Sequence, residues 1–142
     1  MRNRRGPPAI PEAMSTDSVQ VRKPNFSGPG RVRRLRFGYA VAAVAVAMLV
    51  GFALAHSPWY VRLSVFVPAA MAAVSLLQVS RNTCVAHAAK GTFEHDDFST
   101  TKQNDEDAAA SRRVAATIYR DGLLVGVGAA CVAVASALAF AA

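Results

Sequence analysis

The sequence predicts an all-α membrane protein with three transmembrane helices. The second and third are expected to extend into the cytoplasm, behind a disordered N-terminal tail. Three observations carry this. Residues 37–55, 63–79 and 123–142 are apolar stretches without Asp, Glu, Lys or Arg. At a rise of about 1.5 Å per residue, each with its flanks reaches the roughly 30 Å of bilayer hydrocarbon. The formal net charge of +7 lies wholly before Phe37: nine basic and two acidic residues precede it, and seven of each follow. Finally, 142 residues with two cysteines allow one domain and no disulfide scaffold. A soluble nucleic-acid module carries its basic residues on the folded part. Here that part is neutral, so no nucleic acid is expected as a partner.

Residues 1–35 hold five of the seven prolines and most of the basic excess. They read as a disordered basic tail. Met14 offers an alternative start. Arg31, Arg33, Arg34 and Arg36 abut the first apolar stretch. Such a cluster fixes topology by the positive-inside rule and is drawn to anionic lipid headgroups. It places the N-terminus in the cytoplasm.

Residues 36–142 read as a three-helix membrane domain, with spans at about 37–56, 60–80 and 121–141 and a cytoplasmic loop at 81–120. In lipid only helices satisfy their backbone polar groups alone. His56-Ser57-Pro58-Trp59-Tyr60 makes a tight outer hairpin, stopped by Pro58. Arg62 is expected to snorkel outward. Trp59 and Tyr60 suit one aromatic belt, Tyr39 and Tyr119 the other. Ala53-Leu54-Ala55 before His56 also fits a cleaved signal peptide. The length of the basic region argues against that reading. Three spans leave the C-terminus outside.

Within the loop, the second helix is expected to run on through Lys90 and stop at Gly91. Residues 92–104 read as irregular. Asn104 caps a new helix whose first turn holds Asp105, Glu106 and Asp107. That helix should continue to about residue 141, bent or loosened at Gly122.

Helices in lipid associate through small residues. Ala43, Ala47 and Gly51 on the first span, and Gly122 and Gly126 on the third, are the expected packing positions. They could serve a homo-oligomer or another membrane protein, but pack within the chain first. The first and third apolar stretches, 37–55 and 123–142, hold no Asp, Glu, Lys, Arg or His, which argues against a proton- or ion-coupled transporter. No phosphate loop, nucleophile elbow or zinc-protease motif is present. No cofactor is expected. The one cluster with chemistry is Cys84, His87 and His95 beside Glu94, Asp96 and Asp97. A thiolate and two imidazoles are transition-metal ligands. Cys131 reads as a small apolar residue.

The stretch Arg33-Arg34-Leu35-Arg36-Phe37-Gly38, two membrane helices, and Cys84 followed by Gly91 together resemble a small bacterial inner-membrane domain. That two-helix domain occurs alone and appended to membrane-anchored rhodaneses. The similarity covers roughly residues 31–92. The Pro-Tyr pattern that usually follows its cysteine is Val85-Ala86-His87 here, and a third helix is added. The resemblance implies a bacterial inner-membrane anchor or dimerising hairpin, with a link to sulfur metabolism. The sequence therefore points to a non-enzymatic structural, scaffold or interaction protein. Its alternative is a cytoplasmic-face thiol-redox or metal-binding protein using Cys84 and His87.

Overall fold

The structure is a computed structural model and describes residues 24–139. Three of its helical stretches are long and apolar enough to cross a membrane: Gly28–Leu54, Trp59–Ser80 and Asp105–Ala139. The predicted disorder of residues 1–23 lies outside the described residues.

Helix α1 (Gly28–Leu54) begins nine residues before the expected span. Its start is local chemistry that the Pro/Gly content of the tail obscures. Ser27 is extended and its Oγ accepts from Gly30 N at 3.4 Å, with Pro29 in the first turn. Asn25, Phe26 and Ser27 are buried. The fold therefore starts by residue 24 rather than 36, and Arg31, Arg33, Arg34 and Arg36 are helical. At its far end α1 closes with a Schellman turn. Ser57 N donates to Phe52 O (3.0 Å) and His56 N to Ala53 O (3.2 Å), with His56 at φ 49°.

The second span is three consecutive pieces: α2 (Trp59–Arg62), a 3₁₀ turn (Leu63–Val65) and α3 (Phe66–Ser80). It does not continue to Lys90. A second Schellman turn ends it: Thr83 N donates to Gln78 O and Asn82 N to Val79 O, with Asn82 at φ 48°. Asn tolerates this left-handed conformation better than most residues. Cys84 is then extended, and a separate short helix α4 (Val85–Lys90) follows. It ends, as expected, on Gly91, at φ 62°.

Residues 92–104 are not irregular. Strands β1 (Thr92–Glu94) and β2 (Thr100–Lys102) pair antiparallel, with Phe93 opposite Thr101. Strands this short are not stable alone. They are pinned from outside: Glu94 N donates to Asn25 O, and Gln103 N to Gly91 O. Helix α5 (Asp105–Ala139) then runs unbroken past Gly122. Asn104 Oδ1 caps it, accepting from Asp107 N at 2.7 Å.

α3 is the middle layer, packed on α1 on one side and α5 on the other, while α1 and α5 barely touch. The α3–α5 seam is close because Gly122 and Gly126 face it. A Cβ on Gly122 would overlap Val74 Cγ2 and lie 3.3 Å from the Val74 backbone N. One on Gly126 would lie 2.8 Å from Ala70 Cβ. Ala43, Ala47 and Gly51 do not pack within the chain; they are exposed on α1, turned away from α3. A small core at the polar end joins Val85 and Ala88 of α4 to Ala115 and Ile118 of α5. Outside this core and the helix seams, most large apolar side chains of the long helices face outward. Only 11% of the apolar window of α1 is buried, the reverse of a water-soluble helix.

Arg62 does not snorkel. It is 2% exposed, with Nε donating to Ser57 O (2.9 Å) and Nη1 to Ser136 Oγ (2.7 Å).

The seam gives a direct test. Gly122→Ala should destabilise the protein by about 1–3 kcal/mol through forced separation of α3 and α5. Gly51→Ala and Gly128→Ala, where a Cβ meets nothing within 4 Å, should leave thermal unfolding in detergent unchanged.

Candidate functional site

The polar end gathers four ionisable side chains from three elements and the segment leading into α4. Arg34 comes from the second turn of α1, Cys84 from the approach to α4, His87 from α4, and Glu94 from β1. Arg34 Nη2 donates to Glu94 Oε2 at 2.8 Å and lies 3.0 Å from Cys84 Sγ. Its guanidinium also stacks over Phe26, 4.6 Å from the ring centre. His87 Nε2 is 2.8 Å from the same Glu94 oxygen, and its Nδ1 is 2.9 Å from Thr92 Oγ1. An ionised carboxylate only accepts, so Nε2 carries the proton toward Glu94. In the neutral ring Nδ1 then accepts from the Thr92 hydroxyl.

Asn25 locks this arrangement. Its Nδ2 donates to Cys84 O at 3.0 Å and its Oδ1 accepts from Cys84 N at 2.6 Å. The amide side chain thus replaces a strand partner for the residue carrying the thiol. Gln78, from α3, accepts from Val85 N at 3.2 Å. Gly30 supplies room: a Cβ there would sit 2.7 Å from Arg34 Nη1 and 2.8 Å from Glu94 Oε1. Both of those buried atoms lack a hydrogen-bond partner.

Burial alone pushes the Glu94 carboxyl up. The hydrogen bonds and charges of Arg34, and then of His87, outweigh that and hold it below the usual carboxylate range. Cys84 is 4% exposed and Glu94 3%. The cluster is therefore an ion-pair network whose thiol and carboxylate are buried, with Arg34 and His87 partly exposed at its edge.

The expected metal set is not assembled. His95 lies beyond β1, bonded to Thr101 Oγ1 at 3.0 Å and edge-on to Phe93. Cys84 and His87 are engaged by Arg34 and Glu94 instead. Among the described residues no three His, Cys, Asp or Glu side chains converge as metal ligands. Asp97 accepts from Ser99 N and Oγ in the hairpin turn.

The four arginines read as a lipid and topology signal have separate places. Arg31 Nη1 donates to Asn82 Oδ1 (2.9 Å), capping the end of α3. Arg33 stands over Phe98, and Arg34 is in the cluster. Arg36 is exposed. Sequence reasoning missed Asn25, Gly30 and Thr92, because nothing local marks them. It also missed the Arg81–Asp121 ion pair, in which Arg81 Nη1 donates to Thr117 Oγ1 at 2.8 Å. That pair bridges the end of α3 to α5.

No family model, curated protein or solved structure matches the chain.

The lowered Glu94 value fixes a pH dependence. Its contribution to stability is fully present above the unfolded carboxylate pKa of about 4.3 and is lost as pH falls through the lower folded value. In a Cys131→Ala background, a dipyridyl disulfide should react slowly with Cys84 at neutral pH and faster in acid. Glu94→Gln should expose Cys84 at neutral pH too, by about 3 kcal/mol of lost closure. An unchanged labelling rate in both cases would disprove the closing role of Glu94.

Proposed function

We propose that the chain is a non-enzymatic integral membrane protein that acts as a structural or scaffold element. It crosses a bacterial inner membrane three times, with the N-terminus and the polar end in the cytoplasm and the C-terminus outside. Its first partner is the bilayer, with Arg33 and Arg36 exposed toward anionic headgroups at the cytoplasmic face. Ala43, Ala47 and Gly51 form an outward small-residue face available to another membrane helix, including that of a second copy. The resemblance to the rhodanese-appended two-helix domain supports an anchor role. The observation that carries the non-enzymatic reading is the polar cluster. Cys84 and Glu94 are both buried, and every ionisable group there faces another group of the same chain.

One observation favours a second reading. Arg34 Nη2 stands 3.0 Å from Cys84 Sγ, which sets a cation beside a nucleophilic sulfur. Cys84 would then act as a thiol-redox or metal-binding group with His87, once the cluster opens.

Two measurements test these readings. In a chain lacking native cysteines, Ser57→Cys should react with a membrane-impermeant maleimide in intact cells, and Asp97→Cys only in inverted vesicles. The reverse pattern would overturn the orientation. Purified wild-type protein should retain no more zinc than the Cys84→Ala, His87→Ala variant, and its Cys84 should react only slowly with thiol oxidants at neutral pH. A clear excess in wild type would favour the second reading.

A further inference from the structure

Arg62 differs from the partly buried arginines. Arg34 faces Glu94 and Arg81 faces Asp121. Arg62 is more buried than either, at 2% exposed. Yet its three bonds go to neutral acceptors: Ser57 O, Ser136 Oγ and, at 3.5 Å, Ala133 O. Among the described residues no carboxylate lies within ion-pair distance of it. A cation held out of water without an anion is costly, and the cost falls when a counter-charge is supplied.

Two adjoining cavities suggest what supplies it. A notch of about 370 Å³ opens on Arg62 and is walled by His56, Ser57, Trp59 and Leu138. A larger cavity of about 680 Å³ shares Trp59 and Leu138, and continues between α3 and α5 past Phe66 and Val134. The first has a mixed lining, with His56 and Ser57 beside apolar side chains, and a buried cation. The second is lined by apolar side chains and the thiol of Cys131. The two are joined at an indole that suits a membrane interface. A comparable cavity between α1 and α5, of about 550 Å³, ends at Arg81. There Asp121 already supplies the anion, so no ligand charge is called for.

We infer that this paired site binds a phospholipid. Its phosphodiester sits against Arg62 in the notch, and one acyl chain lies in the apolar cavity. A free phosphate would fill only the notch, and an uncharged lipid only the slot. The amphiphile fits both. The inference rests on the membrane reading above and locates the headgroup at the His56–Arg62 end of the helices.

The test uses the full chain, purified in detergent and followed by native mass spectrometry. It is titrated separately with phosphatidylglycerol, with a diacylglycerol of the same chains, and with inorganic phosphate. Wild type should bind one phosphatidylglycerol in preference to the diacylglycerol. Arg62→Gln should weaken that binding about tenfold or more, and Ala135→Trp, which fills the slot from an exposed position, should weaken it with Arg62 intact. If Arg62→Gln does not fold, Arg62→Lys and Ala135→Trp carry the test. Equal binding of diacylglycerol and phosphatidylglycerol, or indifference to both variants, overturns the proposal. Binding of inorganic phosphate that depends on Arg62 but not on Ala135→Trp replaces it with a soluble-anion site. Extraction of wild-type chain from membranes by alkaline carbonate would instead sink the membrane reading. Retention in the membrane without Arg62-dependent lipid binding sinks this inference alone.

Discussion

The Arg34–Glu94 ion pair is the constraint on which the polar end depends. Its two side chains are 11% and 4% exposed and meet at 2.8 Å. They come from the first and the sixth elements of a chain whose first helix hardly touches its last. Together with the Asn25 bonds to Cys84 and Glu94, this link ties the first turns of α1 to the hairpin, whose three-residue strands are too short to stand alone. His87 and Asn25 extend the link to α4 and the thiol of Cys84. A buried pair of this kind is a weak source of net stability, because both ions lose their water. Its value is specificity: removing either partner strands the other.

The rest of the molecule is held by different physics. Between the long helices the contacts are glycine and alanine against valine, alanine and phenylalanine, with few large side chains buried. Ile118 and Val65 are the largest fully buried apolar ones among the described residues. Such interfaces gain little from expelling water. They gain from close backbone approach and dense van der Waals contact, which is what an apolar solvent leaves available. The outward valines and leucines of α1 and α5 fit that solvent.

The parts legible in the sequence are those fixed by neighbouring residues. Unbroken apolar runs mark the three long helices, Asn104 with three acids marks the start of α5, and Gly91 marks the end of α4. Ser27 and Pro29 are an equally local helix start, but the prolines before them read as continued disorder. The break after Ser80 depended on one Asn adopting a left-handed turn, a modest signal against a run of good helix formers. The hairpin was illegible because Asn25, 69 residues before Glu94, supplies one of its anchors. Cys84 and His87 were recognisable as chemistry-bearing residues. Their partners were not, since spacing along the chain says nothing about Arg34 arriving from α1. Arg62 shows the same limit: its acceptors on α5 lie 71 and 74 residues away.

The position of α3 between α1 and α5 has a consequence for how the molecule is made. Spatial order repeats chain order, so each helix docks against one already synthesised. The α1–α3 hairpin can close before α5 exists, and α5 then adds to a finished surface. The contacts that reach back to the start of the chain, Asn25–Cys84, Asn25–Glu94, Arg33–Phe98 and Arg34–Glu94, all have their later partner ahead of α5. Production of the fold from the N-terminus onward therefore needs no rearrangement of earlier parts to admit later ones.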